Sequence, residues 1–246
     1  MENKKLWFED WFDSPYYHLL YGNRDQNEAG NFINNLLRFL QPDSHDTFLD
    51  LACGKGRHAL EIAKKGYHTT GIDLSENSIA EAKSIDNDFL HFHVGDMRHV
   101  HFPNQFNFIL NLFTSFGYFD TQSGQTETLQ AINKQLKPGG VLVIDYLNVV
   151  LAEKQIAANP DNQIIEDGVA FSTRKRVSNQ FITKEIQVND TDFDHVFYEH
   201  IWRLNFDDFN TLLKKTGFTI QTIFGDYELN RFSPDTSDRL IIVAQR

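Results

Sequence analysis

Phe48-Leu49-Asp50-Leu51-Ala52-Cys53-Gly54-Lys55-Gly56-Arg57-His58-Ala59 is the stretch on which the reading of the fold turns. Its first residues form the end of an apolar, strand-like run that begins at Thr47 and stops at the carboxylate Asp50. A glycine-containing loop follows, and from Arg57 the pattern is helical to Lys65, with Gly66 as a left-handed cap. Glycines let the chain turn sharply and leave no Cβ in the path of an approaching ligand. The start of the helix adds unpaired amides and the positive end of a dipole. Gly54, Gly56 and Ala59 also fit G-x-G-x-x-A, the fingerprint of dinucleotide-binding folds, so an NAD(P)-dependent oxidoreductase is one open reading.

Outward from this loop the chain alternates strand and helix. Strands are predicted at 67–72, 89–94, 106–113 and 141–146, with helices from Ser75 to about Ser84 and over 121–136, the latter ended by Lys137-Pro138-Gly139-Gly140. Such alternation implies a parallel sheet with right-handed crossovers and helices on both faces. Upstream, Asp25 to Glu28 reads as a capping box, opening a helix with Phe32, Ile33, Leu36, Leu37 and Leu40 on one face; Pro42 stops it. Trp7 to Tyr21 is dense in aromatic residues and is expected to fold across a cleft or the core. From 150 to 205 the rhythm changes to β-prone runs at 163–165, 169–177, 181–188 and 195–204, with turn signals at Gly168 and Ser178-Asn179. An antiparallel β lid inserted into a single domain spanning 1–246 is expected. The first pattern resumes with a helix over 206–215 and strands at 218–225 and 239–244.

Two further strand tips bear on the ligand. Gly71-Ile72-Asp73-Leu74-Ser75 ends the second strand with an acid at the spacing where a carboxylate accepts ribose hydroxyls, which indicates an adenosine without choosing between NAD and S-adenosylmethionine. Val94-Gly95-Asp96-Met97 ends the third, with a carboxylate placed for an adenine amino group and a thioether to pack on the ring. That third tip favours S-adenosylmethionine. Together with Leu136-Lys137-Pro138-Gly139-Gly140, the Gly217 junction and a final strand closing the chain, the order of motifs resembles the class I S-adenosylmethionine-dependent methyltransferases over 47–146 and 206–246.

The resemblance implies a Rossmann-like, doubly wound α/β fold with a seven-stranded sheet. It implies S-adenosylmethionine as cofactor, and transfer of its methyl group to a nitrogen or oxygen nucleophile of a small molecule. It places Asp50, Ala52, Cys53, Gly54 and Gly56 around the methionine part, Asp73 and Leu74 at the ribose, Asp96 and Met97 at the adenine, and Asn111, Leu112 and Phe113 beside the methyl group. Asn111 departs from the Asp common at that tip, and the Asn-Pro-Pro-Tyr signature of nucleobase amine methylation is missing. The β insertion resembles the lid of methyltransferases acting on amino sugars. Tyr17 and Tyr21 are added to the cofactor candidates from the aromatic segment; Tyr17, His18, Tyr118, Tyr146 and His200 are the acceptor-side candidates, with no catalytic residue forced. A non-catalytic cofactor-binding module stays open beside the enzyme readings.

The net charge of −11 in 246 residues disfavours a nucleic-acid partner. Arg174-Lys175-Arg176 is the best local basic run and reads as a solvated strand face. The single Cys53 excludes an internal disulfide and a Cys-rich zinc site and is read as a small loop residue rather than a nucleophile. His91, His93, His99 and His101 lack a third metal ligand nearby, so no metal is expected. No apolar run approaches the ~20 residues of a membrane-spanning helix, and residues 1–11 do not read as a signal peptide. A cytoplasmic monomer or homodimer is the resulting expectation.

Overall fold

Apolar residues that alternate along the strands give the central sheet two buried faces, and this fixes the layers. The computed structural model describes residues 7–21, 26–119, 121–190 and 194–246. Residues 1–6 and Asp25 of the expected capping box lie outside that set. The elements in chain order are α1 (Trp7–Phe12), α2 (Pro15–Tyr21), α3 (Gln26–Leu40), β1 (Thr47–Leu51), α4 (Arg57–Ala63), β2 (His68–Asp73) and α5 (Glu76–Ala82). Then come β3 (Leu90–Val94), β4 (Phe106–Asn111), α6 (Gln122–Gln135), β5 (Leu136–Leu147) and α7 (Val149–Ala158). The chain continues through β6 (Asp161–Glu166), β7 (Val169–Val177), β8 (Phe181–Asn189), β9 (Asp194–Trp202), α8 (Phe206–Lys215), β10 (Thr219–Phe224) and β11 (Arg239–Gln245).

Seven strands form one sheet in the order β10-β11-β5-β4-β1-β2-β3, and four form a second, β6-β7-β8-β9. In the large sheet β5, β4, β1, β2 and β3 run parallel; β11 is antiparallel to both β5 and β10. Leu49, Leu51, Ile109 and Ile144 pack with Leu129 and Ile132 of α6 and Phe209 and Leu213 of α8. Phe48, Leu110 and Val143 point the other way, onto Phe32, Ile33 and Leu36 of α3 and Ile62 of α4. The period of two along each strand thus feeds two cores, and the expected doubly wound α/β architecture is present. Chain order reverses between β4 and β1, where β1–β2–β3 run out one way and β4–β5 the other. Open α/β sheets bind ligands in the crevice at such a point, beyond the carboxyl ends of the strands.

Two local readings need correction. The stretch Lys137-Pro138-Gly139-Gly140 is not a linker but lies within β5. Pairing of β4 with β5 starts at Phe106↔Leu136 and resumes at Phe108↔Val141, so a register irregularity takes up the proline that cannot donate to the ladder. The start of the insertion is not β structure either. Val149–Ala158 is a helix whose N-cap, Asn148, accepts from the Val150 amide. The remainder is antiparallel: β7, β8 and β9 pair over eight and nine residues. Its inner face, Phe171, Ile186 and Val188, packs on Trp11 and Leu20 of the aromatic helices α1 and α2.

Candidate active site

The ends of β1, β2, β3 and β4, the aromatic helices and β9 enclose a cavity of about 730 Å³. Asp50 is the last residue but one of β1, and its Oδ2 accepts from the Ala59 amide in the first turn of α4 at 3.1 Å. Asp73 ends β2 and holds both neighbouring loops: Oδ2 accepts from Gly54 N–H at 2.7 Å and Oδ1 from Ser75 N–H at 2.9 Å. Burial pushes the Asp50 carboxyl up to about 7, against the pull of the Ala59 hydrogen bond. Burial raises Asp73 too, opposed by the amides of Ser75 and Gly54. Two desolvated carboxylates on one cavity wall form a site that gains from hydroxyl donors or a cation. Burial raises the Cys53 thiol as well, which suits a packing role rather than a nucleophile.

The loop between β1 and α4 fits a ligand closely. Gly54 has φ +55°, and a Cβ added there would meet no protein atom within 4 Å, so that side of the loop opens toward the cavity. Gly56 has φ +81°, and its Cβ would stand 2.2 Å from the Phe92 ring. Gly56 is therefore needed for packing against β3 and does not line the cavity. Ala52, Cys53 and Leu74 line it, as do Met97, Leu112 and Phe113. Asn111 does not: it is fully buried, and its Nδ2 donates to Leu51 O at 2.9 Å across the β4–β1 pair. Asp96 lines the cavity, but its carboxylate is already engaged. The Arg98 amide and guanidinium donate to it at 2.5–3.1 Å. Burial acts to raise Asp96, and the Arg98 hydrogen bonds outweigh it, leaving the group below its usual value. An adenine amino group would have to share or displace one of these bonds.

Of the acceptor-side candidates, Tyr17, His18 and Tyr118 line the cavity, and Tyr21 joins them. Tyr146 is instead wholly buried under the insertion and donates to Trp202 O at 2.6 Å. His200 lies outside the lining, stacked on Tyr198 and bonded to Thr183 Oγ1. Both are placed elsewhere because they serve the junction and outer face of the second sheet. Glu199, Ile201, Phe12 and Arg239 line the cavity without having been expected. Arg239 opens the otherwise apolar strand β11 and pairs with buried Asp145 at 2.7 Å. Asp145 in turn accepts from the Phe113 amide and from Tyr227 OH. This network holds Phe113 and Thr114 at positive φ, 61° and 60°, at the tip of β4. A cation opening an apolar strand was the available sequence signal for Arg239. Among the described residues no group of three His, Cys, Asp or Glu side chains could hold a metal ion.

The profile of the methyltransferase-domain family matches residues 42–203. The chain belongs to that family. The methyltransferase is an S-adenosylmethionine-dependent enzyme of class I. It is 29% identical over 206 residues to the YqeM protein of Bacillus subtilis, covering 80% of this chain and 83% of that one. It is 31% identical over 131 residues to a dTDP-3-amino-3,4,6-trideoxy-alpha-D-glucopyranose N,N-dimethyltransferase of Streptomyces venezuelae, covering 52% and 54% of the two chains. Among solved structures, the CcbJ methyltransferase of Streptomyces caelestis superposes with a TM-score of 0.78 at 16% identity over 96% of this chain and 98% of that one. At that identity the likeness speaks for the fold.

Proposed function

We propose that this methyltransferase moves the methyl group of S-adenosylmethionine to a nitrogen or oxygen atom of a small molecule held between the strand tips and the second sheet. One observation carries the reading. The cavity is walled on one side by the β1–β4 tips and on the other by Glu199 and Ile201 of the insertion and by the aromatic helices. Residues 150–205 therefore act as a lid that makes a pocket rather than an open cleft, apart from the short helix that leads into it. A space of this size suits a cofactor and a compact acceptor. The names of relatives agree: besides the amino-sugar enzyme, a glycine/sarcosine N-methyltransferase of Parasynechococcus marenigrum aligns over 91% of this chain at 23% identity. The charge of −11 supports an acceptor other than nucleic acid. We place the enzyme in the cytoplasm, as a monomer or homodimer.

When bound, S-adenosylmethionine supplies a methyl carbon that already carries a good leaving group. The residues of this chain then have to bind, align and exclude water. Asp73 accepts ribose hydroxyls with the lone pairs left by Gly54 and Ser75. Asp50 adds negative charge at the methionine part, while Leu74 and Met97 pack against the base. Phe113, held at the β4 tip by Asp145, and the rings of Phe12, Tyr17 and Tyr118 shield the reacting centre. Incubating the enzyme and methyl-labelled S-adenosylmethionine with cell extract tests the acceptor class. Label in the metabolite fraction is expected; label confined to RNA or protein contradicts it.

A further inference from the structure

Glu199 is a carboxylate of the insertion that faces the cavity, and nothing in the methyl-donor side uses it. Its Oε1 accepts two hydrogen bonds from the aromatic helices, Trp11 Nε1 at 2.8 Å and Tyr21 OH at 2.7 Å. Lys184 sits directly opposite on β8 and donates to the Tyr21 hydroxyl at 2.6 Å, while its Nζ stays 3.9 Å from Glu199 Oε2. Among the described residues, one oxygen is thus fixed by two neutral donors and the other has a long ion pair. The Glu199 side chain is 21% exposed, enough to be reached and little enough to be strong when paired. Around it the lining is aromatic: Phe12 and Tyr17 rings lie 4.9 Å apart, Tyr17 and Tyr21 5.0 Å, Phe12 and Tyr118 5.2 Å. Ring faces and a carboxylate together make a receptor for an ammonium group; an alcohol can donate to the carboxylate but gains neither the ion pair nor the attraction of a cation to the rings.

Resting on the small-molecule reading, we propose that the acceptor is an amine, bound as its ammonium form by Glu199 within the ring of Phe12, Tyr17, Tyr21 and Tyr118; it gives up one proton to solvent before transfer, so that the freed nitrogen lone pair forms the bond to the methyl carbon as the carbon–sulfur bond breaks and its electron pair stays on sulfur. Glu199 is then the residue that selects nitrogen over oxygen acceptors. The hydrogen bonds from Trp11 and Tyr21 couple that selection to docking of the aromatic helices on the second sheet.

The test uses the full chain saturated with S-adenosylhomocysteine and two matched probe pairs, glucosamine against glucose and cyclohexylamine against cyclohexanol, titrated by ligand-observed NMR. The expected result is binding of at least one amine with its alcohol at least tenfold weaker. Glu199→Gln should cost the amine about tenfold, the loss of one charge-assisted contact, while S-adenosylhomocysteine affinity stays within about threefold. Lys184→Met removes a competing cation and should tighten the amine, an opposite sign that a merely structural role of the pair would not give. Amine and alcohol binding alike, neither amine binding, or Glu199→Gln leaving the amine unaffected overturns the proposal while the methyltransferase reading stands. Failure of S-adenosylhomocysteine to bind overturns that reading and this one with it.

Discussion

Asp50 and Asp73 stand at strand tips where burial works against their charge, and that makes the site pH-sensitive in a defined direction. A carboxyl raised above its unfolded value stabilises the fold fully below about pH 4, and the contribution is lost as pH rises through the folded value, about 7 for Asp50. The melting temperature of the ligand-free protein should therefore fall from pH 5 to 8 more steeply than that of Asp50→Asn, which cannot titrate. A cationic cofactor favours the ionised form, so its affinity should rise with pH below about 7, by up to about tenfold per unit, with proton release on binding. Calorimetry in two buffers of different ionisation heat reads this; proton uptake would contradict it. At Gly56, alanine would combine φ +81° with a contact of 2.2 Å to Phe92, so Gly56→Ala should destabilise by roughly 2–4 kcal/mol in urea titration. The places of Asp50 and Asp73 at their strand tips and of Gly56 in the loop were legible because strand, loop and helix are contiguous, whereas the packing of Gly56 on Phe92 of β3 was not. Arg98 is only two residues from Asp96 and went unread as its partner, since sequence spacing alone does not show that a side chain folds back. Glu199 and Arg239 were illegible because their partners, Trp11 and Asp145, are distant in the chain.

Asn148 joins three elements. Its Oδ1 caps α7 through Val150 N–H, and its Nδ2 donates to Pro234 O and Ser237 O in the connection that leads to β11. Asn148→Ala should cost about 2–4 kcal/mol of stability, since it leaves two carbonyls and an amide to find other partners; a loss below half a kcal/mol in denaturant would show that the cap is dispensable. The Asp145–Arg239 pair makes a sharper test because Asp145 is buried and Arg239 is only slightly exposed. Breaking it from one side strands a charge, so Asp145→Ala alone should lose about 3–5 kcal/mol and the double variant with Arg239→Met less than the two single losses added. Strict additivity would mean the pair is not coupled. At this scale the sequence reading recovered the strands of the large sheet and the antiparallel ones of the insertion, where apolar alternation is clear. It assigned no element to 149–158, where the β-branched Val149 and Val150 open the helix and only the Leu, Ala, Glu, Lys and Gln that follow favour it. It also read Lys137–Gly140 as a linker between α6 and β5, since nothing local shows that Pro138 is absorbed by a register irregularity.

The molecule as a whole is a doubly wound sheet whose reversal of strand order sets a crevice, and a second sheet whose Glu199 and Ile201 line the same cavity. Alternation plus crossover handedness implies a parallel sheet covered on both faces, which is why the class was readable before the order β10-β11-β5-β4-β1-β2-β3 was known. The second sheet was expected at the carboxyl edge of the strands; its packing on the aromatic helices was not readable, because it depends on Phe171, Ile186 and Val188 finding Trp11 and Leu20 at the far end of the chain. The central claim is that this pocket takes S-adenosylmethionine through the carboxylates at its strand tips. Calorimetric titration of S-adenosylhomocysteine and of NAD into the wild-type protein and Asp73→Ala tests it most directly. The expected result is binding of S-adenosylhomocysteine and not of NAD, with the variant weaker by roughly 1.5–3 kcal/mol for the lost ribose contacts. Tighter binding of NAD, or S-adenosylhomocysteine binding unchanged in Asp73→Ala, would contradict it.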